Sequence, residues 1–282
     1  MNTLIVIPAR LNSTRLPRKL LLVATGKPLI CHGIEQASES FVADDVVVAC
    51  DSDEVVIAVE EFKAEFDDWN KLNFPRVVKT REHPNGTSRA AEIASLADKL
   101  CERPDGWWDS YCIVQADYPE ISPALIDQVI GELDRHPEWD CATAACRSGL
   151  QAWGDSESDG YRVFLPAMND ANRVKVLYGD GIARDFTREP IHDDRLKIES
   201  SMYCAIALHI GIYAYRREAL LKYAAAGPCQ REQDESLEQL RALHIGLKMG
   251  VVLTDESPAG IDTREDYDAF VERWKAANVS TG

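Results

Sequence analysis

This sequence predicts an α/β fold: a mostly parallel, doubly wound sheet with an antiparallel subregion. Three observations point there. Residues 4–7 form an apolar run unbroken by any polar side chain, as suits a strand covered on both faces. Similar short runs then alternate with helical patterns, which is the signature of βα repeats. After residue 147 the alternation gives way to short strand candidates separated by turns.

Taken in order, Pro8 is expected to end the first strand, because proline has no N–H for a ladder. A polar loop follows and leads to Pro28, suited to the first turn of a helix reaching about Ser40. Residues 46–50 read as a second buried strand. Asp51, Ser52 and Asp53 are expected to cap the next helix, which uses Val55, Val56, Val59 and Phe62. Residues 67–75 look like an irregular insertion, and Val77 and Val78 a third strand. Asn85 and Gly86 signal a turn, with Thr87 as N-cap of a helix running to Leu100. Residues 111–114 and 141–144 are strands around a helix opened by Ser122 and Pro123. In the second stretch, 155–160 is a polar loop, and 162–165, 174–178 and 183–186 are strand candidates. Residues 211–215 return to the sheet. Helices are expected near 217–225 and 233–249, then a strand at 251–254 and a helix to about Ala277. Without repeat or linker, a single domain with an inserted subregion near 150–210 is the simplest organisation.

The chain has 282 residues and a net charge of −16. Such an acidic balance argues against general nucleic-acid binding and against an anionic membrane surface. No apolar run approaches the ~20 residues that span a bilayer. None of the eight cysteines forms a C-x-x-C pair, and several lie in apolar runs. They read as reduced core residues of a cytoplasmic protein, consistent with a start that runs straight into a strand without a signal-peptide pattern.

Against this charge, residues 1–34 carry Arg10, Arg15, Arg18, Lys19 and Lys27 and no acid. Four of these cations, interleaved with Asn12, Ser13 and Thr14, follow the first strand. Backbone N–H groups with Arg and Lys at that place suit a triphosphate. Two carboxylates are candidates for Mg²⁺. Asp117 lies just past a core strand, where ligands bind in open α/β sheets, though it could equally be a turn aspartate. Asp262 precedes Thr263 and Asp266, which already have the form of a capping box and leave Asp262 free. The glycine fingerprints of dinucleotide folds and P-loops are missing from the sequence, which makes a dehydrogenase or P-loop ATPase a poor fit.

IPARLNSTRLPRK at residues 7–19 resembles the N-terminal signature of the sugar-activating cytidylyltransferases, nearest the 3-deoxy-manno-octulosonate (Kdo) cytidylyltransferase family. Residues 83–89, 114–117, 209–215, 237–241 and 260–266 fall in that family's order. The resemblance implies a nucleotide-diphospho-sugar transferase-like fold and a homodimer in contact through residues 160–215. It implies that CTP and an acid sugar react to give CMP-sugar and pyrophosphate, with Mg²⁺. It places Arg10, Ser13, Arg15 and Lys19 at the CTP phosphates, and Asn85, Gly86 and Arg89 where cytosine is recognised. Gln115 would lie between nucleotide and sugar, and Asp117 and Asp262 would hold the metal. Lys19, Asp117, Asp262 and Arg10 are then the catalytic set, with Arg188, His209, Tyr213, Glu238 and Gln239 facing the sugar. The chain departs from the family's usual pattern at Arg18 (glycine), Leu20 (proline), Asn85 (serine), Ala116 (glycine) and Tyr118 (glutamate). Another acid sugar, such as an amino-substituted Kdo or a nonulosonate, and a nucleotide-binding paralogue without catalysis are the alternatives.

Overall fold

A computed structural model describes residues 1–64, 75–147, 166–190 and 205–279. Residues 67–74 of the insertion expected at 67–75, the polar loop at 155–160 and the strand candidate at 162–165 lie outside these residues, as does Cys204. The described chain divides into two compact units, Met1–Ile130 with Pro258–Gly282, and Gly131–Ser257.

The first unit is built on four parallel strands, β1 (Thr3–Ala9), β2 (Asp45–Cys50), β3 (Arg76–Lys79) and β4 (Ser110–Val114). Their order is β3-β2-β1-β4. Every residue of β1, β2 and β4 is buried, as the unbroken apolar runs require. Pro8 does not end β1, which continues to Ala9. Pairing with β4 stops at Val6 and Ile113, so Pro8 pairs with β2 alone, and a proline is tolerated where one side of the ladder is open. Helices α1 (Leu29–Ser38) and α2 (Asp53–Ala64) cross between strands, and α3 (Gly86–Ala94) follows β3. The helix expected from its N-cap at Thr87 through Leu100 breaks after Ala94, and α4 (Ala97–Leu100) is a separate turn. Helix α5 (Pro123–Arg135) begins where Ser122 Oγ accepts the Leu125 N–H at 3.0 Å.

The second unit mixes directions. Strand β5 (Cys141–Cys146) pairs antiparallel with one long strand and parallel with the last strand of the unit. The short helix α6 (Pro166–Asn169) precedes β6 (Lys175–Gly179) and β7 (Ile182–Thr187), which form a hairpin. Asp180 and Gly181 at its tip have φ of 52° and 73°, as a tight hairpin turn demands. Strand β8 (Ala205–Arg216) pairs antiparallel with both β5 and β6, starting six residues before its sequence signal. Helix α7 (Arg217–Ala225) follows. The single helix expected over 233–249 is two short ones, α8 (Gln230–Glu235) and α9 (Gln239–His244), broken at Ser236, whose φ is 52°. Strand β9 (Met249–Thr254) pairs parallel to β5. Parallel and antiparallel pairing thus coexist, as the sequence predicts, with β6, β7 and β8 supplying the antiparallel pairs.

The C-terminal helix α10 (Arg264–Val279) belongs to the first unit and matters most for the site. Tyr267, Phe270 and Val271 on α10 pack with Leu16, Leu29 and Ile261 in one buried cluster, flanked by Leu22 and Trp274. The Tyr267 hydroxyl adds a polar tie to the same junction, accepting the Ala24 N–H at 2.8 Å. Leu16 is the apolar anchor of the otherwise polar loop. Burying such side chains is worth roughly 1.5–3 kcal/mol each, enough to hold the loop against the chain's far end.

Arg18 caps a short turn of 3₁₀ helix with φ of 56°, a left-handed conformation that favours glycine. Its guanidinium meets Glu54 at the surface. Arg18→Gly is expected to leave the melting temperature unchanged or raise it, the relieved backbone strain of about 1 kcal/mol offsetting a surface ion pair of smaller worth. Differential scanning calorimetry checks this; a clear fall would show that the Glu54 pair dominates.

Candidate active site

The loop after β1, the N-terminus of α3, the end of β4 and the approach to α10 surround a cleft of about 290 Å³. Arg10, Ser13, Arg15, Lys19, Asn85, Gly86, Arg89, Gln115, Asp117 and Asp262 all line it. Every candidate of the nucleotide and metal sets is therefore brought together in the first unit.

Lys19 is the centre of the arrangement. It is 8% exposed, and its Nζ donates to Asp117 Oδ2 at 2.6 Å, to the Ile261 carbonyl at 2.6 Å and to Asp262 Oδ1 at 3.1 Å. Burial works against its charge more than any other influence, but the two carboxylates outweigh it and hold its pKa above the ordinary value. Asp262 Oδ2 also meets Arg15 at 2.9 Å. The capping box is as the sequence predicts: Asp266 Oδ2 accepts the Thr263 N–H at 2.8 Å, and Thr263 Oγ1 accepts the Asp266 N–H at 3.2 Å. The Asp262 carboxylate is left to face the cleft. Among the described residues no group of three or more His, Cys, Asp or Glu forms a metal cluster. A cation held here has two protein carboxylates and draws its other oxygens from ligand or water, a pattern suited to a small hard dication.

The Asp262 segment is docked on Asp117 and on its neighbour Tyr118. The Ile261 N–H donates to the Asp117 carbonyl at 2.9 Å, and the Tyr118 ring lies flush on Gly260. A Cβ at residue 260 would stand 3.0 Å from Tyr118 Cε2. Gly260→Ala is expected to push the ring or the segment aside, costing about 1–3 kcal/mol and lowering turnover further than stability alone explains. Parallel melting and kinetic measurements on this variant would decide; normal turnover would mean the spacing of the carboxylates does not depend on this contact.

At the opposite wall, Asn85 rather than Thr87 caps α3, its Oδ1 accepting the Ser88 N–H at 2.8 Å. Asparagine's short side-chain carbonyl reaches the amide three residues on, so the helix starts two residues before the sequence pattern suggests. Gly86 lies against Gln115, whose side-chain amide would be 3.2 Å from any added Cβ. Arg10 is exposed, and its Nη2 donates to the carbonyls of His83 at 3.1 Å and Pro84 at 2.8 Å. Arg89 is 2% exposed. Asp51, expected to cap α2, is engaged elsewhere. Its carboxylate meets Arg89 and accepts the Leu11 N–H, while Ser52 Oγ serves the Glu54 N–H. Nothing in the local pattern marked Asp51, because both its partners come from other segments.

The remaining candidates cluster in the second unit. His209 on β8 bonds Thr143 Oγ1 at 2.9 Å, stands edge-on to Phe186 and lies 5.5 Å from the Tyr213 ring. Burial, then nearby Arg188, pushes the His209 pKa down to about 3, so the imidazole is neutral. The Tyr213 hydroxyl donates to Gln239 Oε1 at 3.2 Å. Glu238 is the N-cap residue of α9, with its carbonyl accepting from the Tyr223 hydroxyl at 3.2 Å. Arg188 Nη1 donates to the Asn172 carbonyl at 3.1 Å.

Comparison with known proteins follows the same outline. A family model described as cytidylyltransferase matches residues 4–249. A 3-deoxy-manno-octulosonate cytidylyltransferase of Rhodopirellula baltica is 38% identical over 281 residues, covering 97% of this chain and 98% of the relative. One of Geobacter sulfurreducens is 34% identical over 283 residues, covering 98% and 100%. A solved structure of CMP:2-keto-3-deoxy-manno-octonic acid synthetase complexed with CTP is similar with a TM-score of 0.76 and 29% identity, covering 98% of this chain and 100% of that one.

Proposed function

The chain belongs to the 3-deoxy-manno-octulosonate cytidylyltransferase family, and from that premise we infer that it joins the cytidylyl group of CTP to Kdo, releasing pyrophosphate. The observation that carries this reading is the convergence of Asp117 and Asp262 on Lys19, in a cleft with Arg10 and Arg15. The anomeric hydroxyl attacks the α-phosphorus, a new P–O bond forms, and the bond to the pyrophosphate oxygen breaks. The chain's own residues contribute position and charge rather than a covalent intermediate.

Arg10, Arg15 and Lys19, with Ser13, hold the phosphates and offset charge as pyrophosphate departs. Asn85 and Gly86 form the wall for the cytidine end, with Arg89 buried behind it, and Gln115 stands on Gly86 between nucleotide and sugar. Asp117 and Asp262 fit Mg²⁺, because two carboxylates already converge on one cationic nitrogen with room for ligand oxygens. When bound, Mg²⁺ would neutralise phosphate charge. In the second unit, Arg188 suits the sugar carboxylate, and neutral His209 with Tyr213, Glu238 and Gln239 suits its hydroxyls.

A panel of acid sugars with CTP, read by pyrophosphate release, tests the reading. Turnover with Kdo is expected. Preference for an amino-substituted Kdo or a nonulosonate would replace the sugar, and CTP binding without turnover on any sugar would make the protein a non-catalytic paralogue. We also infer a cytoplasmic homodimer that serves lipopolysaccharide assembly. The seven described cysteines, all free and buried, support a reducing compartment, and no helix among the described residues is long and apolar enough to cross a membrane. Light scattering at several concentrations tests the dimer.

A further inference from the structure

We propose that Arg89 and Asp51 act as a positioning pair that fixes Arg10 for the triphosphate, and that Arg89 does not read the nucleotide base. The inference rests on the reading of Arg10 as a phosphate ligand. Arg89 Nη1 donates to the Ala9 carbonyl at 3.1 Å and to Thr80 Oγ1 at 3.2 Å, and Nη2 donates to Asp51 Oδ2 at 2.6 Å. Asp51 Oδ1 accepts the Leu11 N–H at 3.2 Å. The pair therefore grips the backbone on both sides of Arg10: the carbonyl before it directly, the amide after it through the carboxylate. The tip of Arg10 is held in turn by the carbonyls of His83 and Pro84, immediately before the helix that carries Arg89. Backbone, guanidinium and helix close a ring of contacts around one exposed cation.

The physical reason for such a ring is entropy. An exposed arginine has much rotamer freedom to lose on binding, and a side chain already held at both ends loses less. Burial disfavours the Asp51 charge, but Arg89 and the Leu11 N–H outweigh it and hold the carboxyl below its usual range, so Asp51 stays a carboxylate. A buried guanidinium spent on a carbonyl, a hydroxyl and a carboxylate is a strut. Lysine in its place would keep the charge beside Asp51 but could not span all three acceptors as a planar fork.

Calorimetric titration of CTP, UTP and cytidine into the wild type, R89K, D51N, R10A and R10A/R89K, at one Mg²⁺ concentration, tests this. If the wild type binds cytidine as tightly as CTP, the phosphate reading of the loop fails, whatever the variants do. If CTP binds more tightly, R89K is expected to weaken CTP about tenfold, leave cytidine within twofold, keep the preference for CTP over UTP, and add nothing to R10A. Loss of cytidine affinity or of the CTP preference in R89K would make Arg89 a base reader and overturn the proposal. So would unchanged CTP binding in R89K, or a loss that adds to that of R10A. D51N is expected to repeat R89K; should it fail to fold by calorimetric melting, R89K, which keeps the buried charge paired, decides alone.

Discussion

Asp117→Asn is expected to lower turnover by roughly three orders of magnitude or more while the protein stays folded, a loss of about 4 kcal/mol of transition-state stabilisation. The carboxylate is one of two that converge on Lys19, and asparagine removes its charge without changing its shape. The Asp117 carbonyl, which holds the Ile261 N–H, is untouched, so the approach to α10 stays docked. Lys19 keeps Asp262 and the Ile261 carbonyl as acceptors. Steady-state kinetics with a Mg²⁺ titration, alongside circular dichroism and melting, checks the claim. Near-normal turnover in a folded variant would remove Asp117 from the reaction.

Acid is expected to destabilise the first unit through His32, beginning above the range where carboxylates titrate. The imidazole is 4% exposed, bonds Thr25 Oγ1 at 2.8 Å, and stands edge-on to Phe270 and Trp274 of α10. Burial, then Lys27, pushes its pKa from 6.5 down to about 3. The unfolded chain therefore takes up a proton near pH 6.5 that the folded chain refuses until about pH 3. Stability is full above pH 6.5, falls as pH drops through that interval, and levels off near pH 3. The loss reaches roughly 5 kcal/mol at its acid end, an upper figure for one buried group. His209 in the second unit is depressed the same way, so the test is a difference. Urea unfolding from pH 7.5 to 4 should show a shallower slope for His32→Asn, which can still bond Thr25 but does not titrate. Equal slopes would clear His32 of the effect.

The sequence by itself determined what local chemistry determines. Unbroken apolar runs can only be covered strands, and they are, at β1, β2 and β4. Thr263 and Asp266 satisfy the start of α10 between them, so the freedom of Asp262 was legible from four residues. The acid-free cationic loop was legible from charge alone. Two misreadings share one cause: Pro8 and Asp51 were assigned from neighbours in the chain, whereas their surroundings come from other strands and loops. Thr87 lost its cap locally, to Asn85 two residues before it. Only the tertiary structure decided that Lys19 stands between carboxylates 98 and 243 residues away. It did so because Leu16, buried with Ile261 and the apolar face of α10, draws the two ends of the first unit together, and water's exclusion from that cluster acts without regard to distance along the chain.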